Sequence, residues 1–549
     1  MTDRFATHEV TNQPPAFAAV NFYATDRALQ EGVAHFGGAW AEDALHTYGA
    51  LAGGEMMALG IAANENKPRF KPFDRQGHRI DQVEFHPAYH RLMALGVEHG
   101  VSNFTWRHAG REGANVARAA LMYLHTQADQ GTSCPLTMTY ASVPALRRID
   151  GIASQWLPRI LSTSYDERFL PAQDKRGATL GMGMTEKQGG SDVRANTTRA
   201  LPLARTGPGE WYELVGHKWF FSAPMCDAFL VLAQAQAGLS CFLLPRFRPD
   251  GSVNALRLQR LKDKLGDWSN ASSEVEFHGA HAQLVGDEGR GVATILDMVA
   301  LTRQDCMIGS SGIMRQALVQ AIHHARHRTA FGKRLVDQPL MQNVLADLAL
   351  ESEAALALTL RVARAVDRAP YDAQEAAFAR VATAIGKYWV CKRCPPFVNE
   401  AQECLGGAGY VEESILPRLY RQAPLNSIWE GSGNIQCLDV LRALAREPAC
   451  RDALFAEFAT CKGESRLLDE CAGALAAELL DTANLEAQSR ALVERMAIAL
   501  QGTQLIRVGH GKLAHAFIEA RLGQARRNTF GAMAGALDGN DVIEWAFAG

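Results

Sequence analysis

Few of the features that settle a protein's class at a glance occur in this 549-residue chain. No run of 18 apolar residues is present, which excludes an ordinary membrane-spanning helix. The opening Met1-Thr-Asp-Arg-Phe-Ala-Thr-His-Glu9 has no basic segment followed by an apolar one, so a cytoplasmic location is expected. Neither sign of charge dominates. With 56 Lys and Arg against 59 Asp and Glu, contact with nucleic acid has to come from a local patch. No short-period repeat or low-complexity tract appears, which removes solenoids and disordered linkers.

Metal and phosphate signatures are equally scarce. The 11 cysteines are scattered, and only Cys391 and Cys394 have Cys-x-x-Cys spacing. They lie in the helical run from Ala384 with no second pair, and read as packed thiols. His86 and His90 are four apart but lack the intervening Glu of a zinc protease. The glycine-rich Gly181-Met-Gly-Met-Thr-Glu-Lys-Gln-Gly-Gly-Ser-Asp-Val193 has neither a Walker ending nor a Gly-x-Gly-x-x-Gly setting.

What is present is an ordinary globular composition, 47% hydrophobic and 21% charged, and a clear change of periodicity along the chain. Residues 1–178 read as a helical domain. Segments Ala41–Ala63, Pro87–Val101 and Gly113–Gln130 carry apolar residues at three and four spacing, and Asn64–Pro72 reads as a polar, proline-broken loop. Over 179–289 the period falls to two. Trp211–Val215, Lys218–Phe221, Ala228–Ala233, Ser240–Leu244 and Ser273–Phe277 read as short strands of a small β-sandwich or barrel. Helical periodicity returns over 290–446, with breaks expected at Pro339, Pro370 and Pro395-Pro396, and persists through a further helical domain, 447–549. The fold class is α+β, mostly α.

Two stretches carry chemistry. The 181–193 loop offers backbone amides, Thr185 and Ser191, a set suited to a flat polar ring, and Gly216-His-Lys-Trp-Phe-Phe-Ser222 adds aromatics and a hydroxyl on one strand. In Pro424-Leu-Asn-Ser-Ile-Trp-Glu-Gly-Ser-Gly-Asn-Ile-Gln436, Glu430 stands between a run read as extended and a Gly-Ser-Gly turn that starts an amphipathic helix. It reads either as a helix-entry residue or as a base held beside a cofactor.

With Arg328-Thr-Ala-Phe-Gly332 and Leu405-Gly-Gly-Ala-Gly-Tyr410, these motifs stand in one order over 180–435 and resemble the acyl-CoA dehydrogenase flavoproteins. Met-Thr-Glu-Lys-Gln-Gly-Gly-Ser-Asp, Asn426-Ser-Ile-Trp-Glu-Gly-Ser-Gly-Asn-Ile435 and the extra C-terminal domain resemble the AidB (alkylation response) subfamily. The resemblance implies an N-terminal helical domain, a central β domain, a four-helix bundle, and FAD. Met182, Met184, Thr185, Gly190 and Ser191 would line the flavin, with Phe220, Phe221 and Ser222 on its other side. Trp429, Ser432 and Asn434 would approach it from the Glu430 turn. Arg328, Gly406 and Gly407 would reach the FAD of a neighbouring subunit, which implies a homotetramer; the other reading of Arg328 is a solvated helix end. Glu430 would take a proton from Cα of a short or branched acyl-CoA, since Thr302 occupies the alternative base position, and electrons would pass to an electron-transfer partner.

Departures from the family pattern, Glu403 in place of a Gln and Lys187-Gln188 in place of Pro-Gly, imply a rebuilt cofactor or CoA contact. Arg442, Arg446, Arg507, Lys512, Arg521, Arg526 and Arg527 form either a phosphate-tracking patch for double-stranded DNA or a solvated face. A DNA-binding flavoprotein with residual dehydrogenase activity is therefore the alternative function. Nitroalkane oxidation fits less well, because relatives of that type have Asp where this chain has Glu430.

Overall fold

A computed structural model describes residues 5–547 except 18, 482, 524–527 and 534–538. The first part packs α1 (Arg27–His35), α2 (Glu42–Gly53), α3 (Glu55–Glu65), α4 (Pro87–Glu98), α5 (Phe104–Arg107), α6 (Ala114–Ala128), α7 (Gln130–Leu146) and α8 (Asp150–Ile160). One expected helix, Ala41–Ala63, is divided, and another, Gly113–Gln130, is α6. Gly54 separates α2 from α3, and Asp129 ends α6, its carboxylate accepting from the Thr132 amide at 2.8 Å to start α7. The supposed loop at 64–72 is corrected too: β1 (Arg69–Phe73) pairs antiparallel with β2 (Arg79–Glu84). Pro72 is tolerated because it lies on a two-stranded edge.

The middle part holds β3 (Leu180–Gly183), β4 (Arg199–Pro202), β5 (Trp211–Ser222), β6 (Ala228–Ala235), β7 (Gly238–Pro245), β8 (Leu256–Leu261) and β9 (Ser272–Val285). Trp211–Val215 and Lys218–Phe221, read as two strands, are one, with register shifts against β9 that let it bend. Strands β6, β4, β5, β9 and β7 pair in turn, and β7 pairs back to β6, closing a barrel-like ring; β3 lies parallel to β6 and β8 beside β9.

Long helices α9 (Gly291–His327), α10 (Pro339–Arg368) and α11 (Ala373–Glu403) follow, with a two-residue hairpin, β10 (Thr329–Ala330) and β11 (Lys333–Arg334), between the first two. Pro339 opens α10 at the expected break between helices, as its preset φ favours. Pro395-Pro396 does not end α11, which runs on to Glu403 because Phe397, Val398 and Ala401 bury their side chains in the bundle core. Beyond come α12 (Leu416–Gln422), α13 (Gly433–Arg446), α14 (Pro448–Ala459), α15 (Arg466–Glu478), α16 (Leu485–Arg507), α17 (Gly511–Leu522) and α18 (Gly539–Ala546). These last helices share one apolar core with α9, α10 and α11, so the added segment is packed onto the bundle. Among the described residues no helix is long and apolar enough to cross a membrane.

Candidate active site

The turn around Glu430 is not extended. Leu425–Ser427 forms a single 3-10 turn, and Glu430 itself has φ +58°, left-handed and costly for a side chain with a Cβ. Side chains from three helices hold it there. From α9, Arg303 Nε donates to the Glu430 carbonyl at 3.0 Å, and its Nη1 meets Asp439 at 2.8 Å. From α13, Gln436 Nε2 donates to the carbonyls of Glu430 and Gly431, each at 3.0 Å. From α11, the buried Lys387 donates to the carbonyls of Trp429 at 2.8 Å and Gly431 at 2.5 Å. These three anchors are polar residues in helical runs, and sequence reading missed them.

Glu430 is a partly exposed residue. Its Oε2 accepts from the Thr302 hydroxyl at 2.7 Å, so the residue at the alternative base position orients the acid. Burial by the surrounding helices pushes this carboxyl above the usual carboxylate range, opposed by the Thr302 hydrogen bond and by the Lys387 and Arg303 charges. A carboxylate in such surroundings is suited to accept a proton. Trp429 beside it bonds through Nε1 to Asn426 at 2.9 Å and packs on the same apolar cluster as Met182 and Met184.

The glycine-rich loop leaves β3 and is held by one buried ion pair. Lys218 Nζ on β5 lies 2.7 Å from Glu186, both side chains wholly buried. Glu186 also accepts from the amides of Thr197 at 2.7 Å and Thr198 at 3.2 Å. These contacts hold its carboxyl down at about 2 despite burial. A Cβ on Gly190 would sit 2.8 Å from Thr185 Oγ1, so this close approach requires glycine. Thr185, Gly190 and Ser191 are solvent-accessible, as is Phe220, 52% exposed. Ser222 meets Ser272 across β5 and β9 with hydroxyl oxygens 3.0 Å apart. Hydroxyls, open amides and an uncovered aromatic fit the polar, flat ring of a flavin.

Other expected residues lie elsewhere. Phe221 is fully buried against Phe229 and Phe277, because alternation along β5 turns it into the barrel, so its side chain supports the strand from behind. Arg328 ends α9 and bonds to the Asn12 carbonyl at the root of the 329–334 hairpin. The hairpin tip, Phe331-Gly332, has positive φ at both residues, and Phe331 is 98% exposed. Gly406 and Gly407 are exposed on a separate 3-10 turn. Asn434 accepts from Arg490 of α16 at 2.8 Å, and Ser432 caps the start of α13.

The basic set does not assemble as expected. Arg521 lies inside an ion cluster with Asp347 and Glu351, and Arg507 pairs with Glu457, since the last helices close onto α10 and α14. Arg442, Arg446 and Lys512 are exposed, while Arg526 and Arg527 lie outside the described residues. Cys391 and Cys394 are buried thiols. His86 caps α4, and His90 contacts the Tyr165 hydroxyl at 3.0 Å.

Comparison with known proteins bears on this geometry. The sequence matches the adaptive response protein AidB N-terminal domain over residues 12–167, the acyl-CoA dehydrogenase middle domain over 181–280 and the acyl-CoA dehydrogenase C-terminal domain over 289–445. It is 48% identical to the AidB protein of Escherichia coli (strain K12) over 518 residues, 94% of each chain. Caenorhabditis elegans ACDH-11, solved in complex with C11-CoA, superposes with a TM-score of 0.87 at 25% identity over 97% of both chains. A Bacillus anthracis acyl-CoA dehydrogenase complexed with FAD shares the fold at a TM-score of 0.62 and 18% identity, over 80% of this chain and 78% of that one.

Proposed function

Since the chain belongs to the acyl-CoA dehydrogenase family, in its AidB-like branch, and has FAD as its cofactor, we propose that it desaturates a short or branched acyl-CoA thioester with Glu430 as the base. The observation that carries this reading is Glu430, a partly exposed residue whose carboxyl is pushed up by burial, held on a turn anchored by three helices.

When bound, FAD supplies the two-electron acceptor for the hydride that leaves Cβ. The chain's residues do the rest. Thr302 fixes one oxygen of the Glu430 carboxylate, and Glu430 accepts the Cα proton. The Glu430 N–H, which makes no hydrogen bond among the described residues, is placed to donate to the thioester oxygen as negative charge develops there. Phe220, Thr185, Gly190 and Ser191 would hold the ring, and Ser432 and Asn434 the cofactor's ribityl and phosphate region, with Trp429 closing the site behind the base. The product is the α,β-unsaturated thioester. The C11-CoA complex of the worm protein supports a CoA thioester as the substrate class.

Exposed Phe331, Leu340 and Tyr410 favour assembly into a homotetramer in which Arg328, Gly406 and Gly407 meet a neighbour's cofactor. Reoxidation would fall to an electron-transfer partner. The DNA-binding alternative keeps only Arg442, Arg446 and Lys512 on open surface among the described residues, a smaller patch than the sequence offers. Glu430→Gln tests the main reading: the variant should retain FAD and lose thioester-driven flavin bleaching by at least about a thousandfold. Bleaching at the wild-type rate would remove Glu430 from the mechanism.

A further inference from the structure

Among the buried polar side chains near the site, Lys387 stands apart in what it touches. It is 1% exposed in the middle of α11, yet it bonds to no carboxylate there. Its ammonium takes instead the two carbonyls flanking Glu430, those of Trp429 at 2.8 Å and Gly431 at 2.5 Å. Two carbonyls separated by one residue converge on a single donor only when the residue between them turns sharply, and Glu430 does so at φ +58°. A buried cation is costly to the fold. Two neutral carbonyls offset little of that cost, so a neutral side chain at 387 would suit stability better.

We propose that Lys387 is the positioning residue of Glu430: bonded on both sides of it, the lysine holds the base in its left-handed turn and supplies a fixed positive charge that keeps the carboxylate ready for a proton. The proposal rests on Glu430 being the base. It divides the work around the turn. Arg303 shares the Asp439 carboxylate with Arg380, which meets it at 2.9 Å, so its charge is partly compensated. Gln436 is neutral and holds carbonyls alone. Cys306 of α9 and Cys134 of α7, both buried with thiols pushed up, add no charge. Lys387 is thus the cation on the turn that bonds only to carbonyls and to no carboxylate.

The test follows flavin bleaching by isovaleryl-CoA under anaerobic conditions across pH, in the wild-type holoenzyme and in Lys387→Met, Lys387→Gln and Glu430→Gln. Met removes both donor and charge; Gln keeps a donor and removes the charge, and covers the case in which Met fails to fold. Both lysine variants should move the rising limb of the rate profile up by about one pH unit, because a carboxyl without the nearby cation holds its proton longer. The limiting rate should fall about a hundredfold in Met and about tenfold in Gln, with thioester affinity little changed. A flavin-containing variant with the limb in place and the rate within about twofold of wild type would overturn the proposal. So would loss of flavin from both variants, since the lysine would then be holding the cofactor site and not the base. Full activity in Glu430→Gln would remove the base, and with it the lysine's role; an inactive Glu430→Gln beside unaltered lysine variants would remove the lysine's role alone.

Discussion

Glu430, the proposed base, is held in an unfavourable conformation. Glu430 was legible as a candidate because an acid before Gly-Ser-Gly is visible in the chain, but its left-handed φ was not, since nothing local requires it. The conformation is imposed by Arg303, Lys387 and Gln436, which are 127, 43 and 6 residues away and look like unremarkable helix residues in sequence. Thr302 read as a site that could not act as base; folded, it hydrogen-bonds the carboxylate of the proposed one. The next residue is the most sensitive point. Gly431 has φ +95°, and a Cβ there would lie 2.7 Å from Gln436 Nε2. Gly431→Ala should therefore cost about 1–3 kcal/mol in strain and slow thioester-driven bleaching about tenfold, read by stopped-flow absorbance. An unchanged rate would mean that the turn tolerates displacement.

At the scale of elements, periodicity revealed the long helices and most strands, and failed where a tertiary contact overruled a local breaker. Pro395-Pro396 sits inside α11 because Phe397 and Val398 are locked into the bundle core, which outweighs the lost backbone donors. The β1–β2 hairpin was hidden by its charges and Pro72, and forms where it packs beside β8. In the flavin loop the glycines and hydroxyls were readable, while its fastening, Glu186 to Lys218, was not. Their 32-residue separation gives no pairing signal. Breaking that pair is predicted to be severe. Lys218→Met leaves a buried acid unpaired and should destabilise by about 3–5 kcal/mol. FAD should then be lost on desalting, seen as loss of visible absorbance. Adding Glu186→Gln should restore part of the stability, since no charge then stays buried alone.

The molecule as a whole is knit across its parts by buried ionic clusters, and one acid among them is unsatisfied. Glu353 on α10 is 4% exposed, neither of its oxygens has a hydrogen-bond partner, and it borders a small cavity shared with α1, α16 and His510. Burial, together with Asp26 and Glu31 and against Arg315, pushes its carboxyl up to about 8. The folded protein therefore keeps a proton that the unfolded chain releases near pH 4 to 5. Stability is highest below that value and falls as pH rises towards about 8. Glu353→Gln should erase this loss, gaining a few kcal/mol over wild type at pH 8 and little at pH 4, as measured by thermal melts across pH. Equal melting curves would place a compensating cation in the cavity. The order of helical, β and helical parts could be read from the change of period along the chain, but the way the last helices close on α10 and draw in Arg507 and Arg521 could not, because it depends on acids 50 or more residues upstream.

The central claim, that this scaffold performs flavin-dependent oxidation of a CoA thioester, is met most directly by the anaerobic visible spectrum of the purified protein before and after a panel of acyl-CoA thioesters that includes isovaleryl-CoA. A flavin spectrum bleached rapidly by one thioester is the expected result, and the panel would identify the acyl chain. A flavin spectrum that no thioester bleaches at a useful rate would contradict the claim and turn attention to salt-dependent DNA retention.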